Sequence, residues 1–187
     1  MRKFLFSFLE ILEFIVTAVV LVFVIRTYLI QPFLVWGSSM APNFQSGDYI
    51  LIDELSLNFK SISRGDVIVF KYPQNPSTYF IKRVIGLPNE TIKIQENKIF
   101  VFNKEHPNGF VLNEPYLTGW IKTEIRSGKP SEFKLNSDEY FVLGDNRSYS
   151  YDSRDWGVLK KDNIVGIARL RLWPITSFSV FAAPNYY

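Results

Sequence analysis

The amino-acid sequence predicts a mainly β protein, an antiparallel, sheet-like or barrel-like catalytic domain behind one N-terminal transmembrane helix. Three observations support this fold class: an apolar run lies near the amino terminus, short β-branched and aromatic segments separated by Gly, Pro, Asn and Asp follow it, and no long helical period competes with them. With 187 residues, the chain has room for one anchor and one modest domain, which we place at residues 1–30 and 31–187.

The anchor is predicted from the run Phe14 to Ile25, in which only Thr17 is polar. Extended back to Phe4, the run corresponds to about 33 Å of helix, enough to cross a bilayer. Glu10 and Glu13 lie in its first half, where carboxylates can reach the headgroups.

The charges that flank the run predict its orientation. Arg2 and Lys3 precede it and Arg26 follows it, which favours a cytoplasmic amino terminus and a single-pass protein of the plasma membrane with its domain on the extracytoplasmic side. The alternative is a removable secretory signal, which has a similar basic start. A cleavable segment ends in small residues, whereas bulky residues follow Ile25, so an uncleaved anchor is favoured.

The rest of the chain is predicted to form strands joined by turns. Glu96-Asn97 is predicted to close a two-residue hairpin, since Asn tolerates the left-handed conformation that such turns require. The segment Asn113 to Lys134 is expected to be a surface excursion without chemistry, and the aromatic tail Trp173 to Tyr187 is expected either to pack on the core or to lie at a membrane surface. The predicted strands are Tyr49 to Asp53, Val67 to Tyr72, Tyr79 to Ile85, Thr91 to Gln95, Lys98 to Phe102, Tyr140 to Leu143 and Ile164 to Trp173.

The composition excludes several kinds of site. The absence of cysteine excludes disulfides, thiolate zinc sites and cysteine nucleophiles, and a single histidine excludes the common two-histidine metal sites. Asp145, Asp152 and Asp155 lack the spacing of a calcium loop, so we expect no metal and no cofactor. The net charge of +3 is too small and scattered to indicate a nucleic-acid partner.

Three segments carry residues suited to catalysis. Gly37-Ser38-Ser39-Met40-Ala41-Pro42 follows the predicted span directly, although a Gly-Ser-Ser turn alone is a common structural turn. On the strand from Tyr79, alternation places Phe80, Lys82 and Val84 on one face. A lysine buried between apolar neighbours loses its charge more readily, and a neutral amine can accept a serine proton. The structural alternative is a lysine at a strand edge whose ammonium reaches water.

The third segment is the polar loop from Gly144 to Asp155. Such loops usually only make turns, but here Asp152 and Arg154 are suited to a charge-assisted pair, and a serine hydroxyl of the loop is suited to orienting a neutral lysine.

These segments, in this order behind an amino-terminal span, resemble bacterial type I signal peptidases. Gly37 to Pro42 is similar to the nucleophile box of that family, which implies attack by Ser39, and Tyr79 to Pro88 is similar to its lysine box, which implies Lys82 as general base. Arg64 to Phe70 matches a further structural box.

The segment Gly144 to Arg154 is similar to the Gly-Asp-Asn-Arg loop of the family. This implies that Ser150 hydrogen-bonds the lysine while Asp152 and Arg154 support the site. The resemblance further implies a membrane-bound serine endopeptidase that removes N-terminal signal peptides from exported preproteins by a Ser-Lys dyad, with preproteins and the lipid bilayer as partners.

The sequence departs from the family at three positions near the nucleophile. Gly37 stands where some members have a serine whose hydroxyl helps to hold the oxyanion, so the oxyanion hole is expected to use backbone N–H groups of Ser39 and Gly37. Trp36 and Phe44 are bulkier than usual, which leaves the pocket size open. The residues expected to line the substrate pocket are Val35, Met40, Phe44 and Phe80.

Two alternatives to signal-peptide cleavage remain. Self-cleaving repressors share a Ser-Lys dyad, but their usual DNA-binding domain is replaced here by the predicted span. A membrane-tethered β scaffold that binds emerging peptides without cleaving them is the second.

Overall fold

The structure is a computed structural model that describes residues 10–21, 30–117, 119 and 121–183. Helix α1 covers residues 10–21, and two short helices follow, α2 (Ser56–Phe59) and α3 (Ser153–Trp156). Single turns of 3-10 helix lie at Arg147–Tyr149, Lys161–Asn163 and Ile175–Ser177. The strands are β1 (Ile30–Leu34), β2 (Tyr49–Asp53), β3 (Val67–Tyr72), β4 (Asn75–Gly86), β5 (Thr91–Gln95), β6 (Lys98–Phe102), β7 (Phe110–Val111), β8 (Glu132–Lys134), β9 (Glu139–Leu143), β10 (Leu159–Lys160), β11 (Ile164–Trp173) and β12 (Ser179–Val180).

The strands form two antiparallel sheets, which confirms the mainly β prediction. The larger sheet has the order β1-β2-β11-β3-β4-β9-β10, with β12 added beside β11, and the smaller sheet has the order β7-β6-β5-β8. A ladder between β1 and β10 is absent from the pairings of the described residues, so closure into a barrel stays a prediction. Catalytic candidates come from the larger sheet and the loops beside it.

All seven predicted strands are present, and β2, β3, β5, β6 and β11 have the predicted bounds. Glu96 and Asn97 have φ values of 53° and 62°, which confirms the hairpin turn between β5 and β6. Strand β4 begins at Asn75 rather than Tyr79, because its polar first residues pair with the end of β3 although they lack an apolar pattern.

Five strands were not predicted: β1, β7, β8, β10 and β12. Four of them have two or three residues, too few to show alternation. The fifth, β1, has five residues and contains Pro32, which a strand at the edge of a sheet tolerates because one of its sides needs no hydrogen bonds.

Three apolar clusters form the core. One lies between the two sheets, where Ile85 and Phe141 of the larger sheet meet Ile92 and Val101 of the smaller. The other two share the residues of β3, since Val67 and Val69 belong to one cluster and Ile68 and Phe70 to the other. Strand β3 is therefore buried on both faces and holds its neighbour β4 in a fixed place.

A buried ion pair joins the larger sheet to the smaller one. Arg64, just before β3, donates two hydrogen bonds to the carboxylate of Glu90, just before β5, at 2.8 and 2.7 Å. The same carboxylate accepts hydrogen bonds from the backbone of Leu87 and the side chain of Asn103. The hydrogen bonds accepted by the Glu90 carboxylate thus hold together the segments where the two sheets meet.

Helix α1 carries apolar side chains that are exposed, including Phe14 at 75% and Val19 at 62%. Among the described residues, no helix has both the length and the apolar character that crossing a membrane requires. Much of the predicted anchor, residues 1–9 and 22–29, lies outside the described residues.

The predicted surface excursion from Asn113 to Lys134 makes specific contacts with the polar loop that follows β9. Arg147 of that loop donates to the carboxylate of Glu114 and to the hydroxyl of Thr123. Arg154 donates to the backbone carbonyl of Glu124 at 3.2 Å. The excursion therefore helps to hold the polar loop, a role that its irregular sequence does not indicate.

The aromatic tail divides between core and surface. The ring of Phe181 packs against that of Phe44, with centroids 4.5 Å apart. Trp173, Ile175 and Phe178 are more than half exposed.

Candidate active site

Ser39 lies in the turn that joins β1 to β2, residues 35–48, which we call the nucleophile turn after the role predicted for Ser39. The turn is anchored by Met40 and Phe44, each 1% exposed, whose side chains belong to one of the core clusters. Gly37 has a φ of 89°, which side-chain-bearing residues rarely adopt, and it redirects the chain just before Ser39. The core thus holds the backbone of this turn, while the Ser39 side chain stays partly exposed.

Lys82 lies on β4, opposite Ile68 of β3. Its Nζ is 2.8 Å from Ser39 Oγ and 2.9 Å from the carbonyl oxygen of Ile81. The residue is 4% exposed, and the ring of Phe80 lies 5.2 Å from the amine. Two side chains 43 positions apart in the sequence are therefore in direct contact within a largely dry environment.

Burial lowers the pKa of the Lys82 amine from 10.5 to about 8, because an apolar environment disfavours the ammonium form. The carboxylates of Asp152 and Asp145 act in the opposite direction, since negative charge nearby favours the ammonium. Burial dominates. The neutral amine is thus accessible at mildly basic pH, unlike that of an exposed lysine.

The hydrogen bond expected from Ser150 to the lysine is not made. Ser150 Oγ is buried and has no hydrogen-bond partner in the described part of the chain, while the Lys82 amine contacts Ser39 and Ile81 instead. Ser150 is nevertheless adjacent to the nucleophile turn. A methyl group built on Gly144 would overlap both the Ser150 side chain and the carbonyl oxygen of Ser39.

The pairing expected between Asp152 and Arg154 is present, with Arg154 Nε 2.8 Å from Asp152 Oδ1. Asp152 also caps the amino terminus of α3 in a capping box with Asp155. Its second oxygen accepts a hydrogen bond from the backbone of Gly144 at 3.1 Å. These bonds tie both ends of the polar loop to a single buried carboxylate.

Asn146 holds the nucleophile turn directly, a function that the sequence does not assign to it. Its backbone N–H donates to the carbonyl of Ser39, and its side-chain amide donates to the carbonyl of Ser38, both at 3.0 Å. The only signal in the sequence is its place in the Gly-Asp-Asn-Arg motif, which does not reveal its partners.

A second buried ion pair lies behind the dyad. Arg83 forms a two-pronged contact with Asp145 at 2.8 and 2.6 Å. The same carboxylate accepts a hydrogen bond from the side chain of Asn43, in the nucleophile turn. Alternation along β4 places Arg83 on the face opposite Lys82, but strand periodicity cannot show which loop carboxylate lies there.

A cleft of about 490 Å³ leads to the dyad. Val35 and Phe80 line it, as expected, together with Ser39 and Lys82. Met40 and Phe44 are not among the lining residues: each is 1% exposed and belongs to the apolar cluster that also contains Val35, so their predicted contact with substrate stays a prediction. Trp36, which was expected to affect the pocket size, and Gly37 also line the cleft. The lining residues that the sequence did not indicate are Phe33, Leu34, Ser38, Ile50, Val69, Tyr79, Ile81, Tyr149 and Tyr151.

The two backbone groups expected in the oxyanion hole differ in their surroundings. The N–H of Gly37 donates to the hydroxyl of Ser46 at 3.3 Å, so it is engaged away from the dyad. Of the expected pair, the N–H of Ser39 remains as the candidate donor.

Within the described ranges, no group of three or more His, Asp or Glu side chains is arranged to hold a metal ion.

Comparison with known proteins gives a consistent result. The family model described as signal peptidase, peptidase S26, matches residues 8–173. Signal peptidase I V of Bacillus subtilis is 37% identical over 161 residues, which are 81% of this chain and 91% of that protein. Signal peptidase I of Leptolyngbya laminosa is 35% identical over 178 residues, which are 91% of this chain and 82% of that protein.

Among solved structures, a signal peptidase I from Enterococcus faecalis is 29% identical to this chain. The match covers 58% of this chain and 97% of that one, with a TM-score of 0.45. On the strength of the family model and the two relatives, the chain belongs to the signal peptidase family, peptidase S26, and is an enzyme of that family, a serine peptidase.

Proposed function

We propose that this protein removes N-terminal signal peptides from exported preproteins, with Ser39 as nucleophile and Lys82 as general base. The observation that carries the proposal is the 2.8 Å contact between Lys82 Nζ and Ser39 Oγ. The names of the relatives support the substrate class.

The reaction starts from the neutral amine of Lys82. Ser39 Oγ attacks the scissile carbonyl carbon while its proton passes to Nζ, and the carbonyl oxygen becomes an oxyanion near the N–H of Ser39. When the intermediate collapses, the C–N bond breaks and the ammonium returns the proton to the leaving amine. Water, deprotonated by the same amine, then hydrolyses the acyl-enzyme and releases the signal peptide.

The contacts of Lys82 suit both of its states. One N–H is held by the carbonyl of Ile81, which orients the amine. The ammonium donates to Ser39 Oγ, whereas the neutral amine accepts the proton of the same hydroxyl across the same 2.8 Å. Transfer therefore requires little movement of either heavy atom.

The substrate is proposed to bind as an added β-strand. Residues 79–82 of β4 pair with β3 on one side, and β9 pairs with β4 from Arg83 onward. Within the described part of the chain no strand pairs with the other edge of residues 79–82, so that edge is open to a peptide in the cleft. Alternate side chains would then enter the apolar cleft. Small residues at the first and third positions before the cut fit this proposal, as the family resemblance implies.

Substitution of the dyad tests the assignment. Ser39→Ala and Lys82→Ala are each expected to abolish cleavage of a preprotein. Each variant is incubated with the preprotein, and mass analysis of the products measures the loss. Ser127→Ala and Lys71→Ala are matched controls, because both residues are exposed and lie outside the cleft lining. Near-normal cleavage by either dyad variant contradicts the mechanism, and binding of the preprotein by wild-type protein without cleavage would favour a peptide-binding scaffold.

We also propose that residues 1–30 anchor a catalytic domain, residues 31–187, on the extracytoplasmic side of the plasma membrane. The exposed apolar side chains of α1 support this, since such a surface is favourable in lipid. Protease protection in vesicles of known orientation tests it. A catalytic domain digested only from the cytoplasmic side contradicts the proposed topology.

A further inference from the structure

A second cavity, of about 810 Å³, is lined by the nucleophile turn and the polar loop, the two segments that also contribute to the substrate cleft. The cleft ends at Ser39 on the nucleophile turn, and the cavity begins at Ala41 and Pro42 of the same turn. On the polar loop, Tyr149 lines the cleft whereas Ser148 lines the cavity. The two spaces are therefore neighbours along both segments that border the dyad.

An extended peptide cut at Ser39 needs space on both sides of its scissile bond. The part that becomes the acyl group occupies the cleft beside β4, in the binding mode proposed above. The leaving part continues past the nucleophile at about 3.3 Å per residue, so its first three residues extend about 10 Å beyond the scissile bond. The second cavity begins two residues beyond Ser39 in the same turn, at Ala41, which makes it a candidate space for these residues.

The lining of this cavity is predominantly cationic. It contains Lys122, Arg126, Arg147 and Arg154 but only one carboxylate, that of Glu124. The arginines are paired with carboxylates that are not part of the lining, those of Asp155, Glu114 and Asp152 respectively. The positive ends of the three ion pairs thus face the cavity.

Lys122 differs from these arginines. It is exposed, and no hydrogen bond or ion pair joins its side chain to the other described residues. Its ammonium is therefore available to a ligand, and it belongs to the excursion to which the sequence assigns no chemistry.

We infer that this cavity receives the first residues of the mature segment of the preprotein and that Lys122 favours an acidic side chain among them. The inference rests on the proposed function, because it names the leaving part of the same substrate. An acidic side chain there gains a charge contact at a partly exposed site, worth about a two- to fivefold advantage over a neutral one.

The test uses the full chain in detergent and a preprotein-derived peptide series. Glu, Gln or Lys is placed in turn at each of the first three positions after the cut, and kcat/KM is measured. At one of these positions at least, we expect the wild-type protein to cleave the Glu peptide about two- to fivefold more efficiently than the Gln peptide. The Lys peptide should be the poorest, and 0.5 M salt should reduce the differences.

Lys122→Gln should remove the preference, and Lys122→Glu should reverse it. Lys98→Glu is the matched control, because it makes the same charge change at an exposed lysine of β6 outside the cavity lining, and it should retain the preference. Equal cleavage of Glu, Gln and Lys peptides at all three positions, or an unchanged preference in Lys122→Glu, overturns the inference while leaving the proposed function intact. If the wild-type protein cleaves no peptide of the series, both this inference and the proposed function are contradicted.

Discussion

At the scale of single residues, the proposed chemistry depends on a lysine that the fold shields from water. Lys82 lies between the ring of Phe80 and the nucleophile turn, and its burial lowers the pKa of its amine to about 8. Asp145 and Asp152 limit this decrease. The pKa thus reflects a balance between an apolar environment and the carboxylates that hold the polar loop.

The pH dependence of cleavage should report this pKa. Because only the neutral amine accepts the proton of Ser39, kcat/KM should rise about tenfold per pH unit below the pKa and level off above about pH 8. A peptide-cleavage assay between pH 5.5 and 9.5 measures the profile. Lys71→Ala should leave the profile unchanged, and a flat wild-type profile across this range contradicts the role of Lys82.

Burial of Lys82 should also reduce the stability of the fold near neutral pH. Below pH 8 the ammonium is present in both folded and unfolded chains, and a decrease in pKa from 10.5 to about 8 corresponds to about 3 kcal/mol against the folded state. Between about pH 8 and 10.5 the unfolded chain binds more protons, so stability rises with pH.

Lys82→Met is therefore expected to increase the free energy of unfolding by up to about 3 kcal/mol at pH 7, with a smaller gain at pH 10. Urea denaturation at both pH values measures the difference. The exposed Lys71→Met should change stability by less than about 0.5 kcal/mol. A Lys82→Met variant that is less stable than wild type at pH 7 would show that burial of the amine does not oppose folding.

At the scale of elements, two loops are locked together so that a serine on one meets a lysine on β4. The polar loop holds the nucleophile turn through Asn146, and the turn holds the loop through the contact of Asn43 with Asp145. Gly144 lies where these segments come closest, because a larger residue would overlap both the carbonyl of Ser39 and the side chain of Ser150. The close approach of the loops requires glycine at this position.

Gly144→Ala should therefore impair catalysis by displacing the nucleophile turn. The added methyl carbon would lie 2.6 Å from Ser150 Cβ, closer than two carbons can approach, and a shift of about 1 Å at the nucleophile is expected to reduce kcat/KM about 100-fold. Peptide-cleavage kinetics measure the loss. In Gly166→Ala, the control on β11, the closest neighbour is the carbonyl oxygen of Asp53 at 3.1 Å, so the effect should be much smaller. Near-normal activity of Gly144→Ala would show that the loops can separate without consequence.

At the scale of the whole molecule, the two sheets form one structure through a shared apolar cluster and a buried ion pair. The cluster contains Ile85 and Phe141 from the larger sheet, and the ion pair joins Arg64 to Glu90. Loss of one partner leaves the other charge buried without compensation, which is more destabilising than loss of an exposed pair.

Glu90→Ala is expected to reduce the free energy of unfolding by about 3–5 kcal/mol, because it leaves the Arg64 guanidinium buried without a carboxylate. For a chain of this size, that corresponds to a decrease in Tm of about 10 °C. Differential scanning calorimetry or thermal circular dichroism measures it. Glu105→Ala removes an exposed carboxylate and should leave Tm nearly unchanged. A similar Tm for both variants would show that the junction does not depend on this ion pair.

Local patterns in the sequence determined most of the strands and pointed to Ser39 and Lys82, the two residues proposed as the dyad. In strands such as β5 and β6, apolar and polar residues alternate clearly, and an asparagine-containing turn joins the two strands. Their bounds can therefore be predicted from the order of residues along the chain. Ser39 and Lys82 lie within short motifs that resemble one family, and each motif is contiguous. A contiguous motif can be recognised without knowledge of what faces it.

Only the tertiary structure decided which groups meet across the sequence. It buried Met40 and Phe44 in an apolar cluster, paired Arg83 with Asp145, and left Ser150 without the expected bond to the lysine. These outcomes depend on contacts between segments far apart in the chain, and strand periodicity specifies a face but not the partner on that face. The low pKa of Lys82 has the same origin, since its burial results from packing of the nucleophile turn against β4.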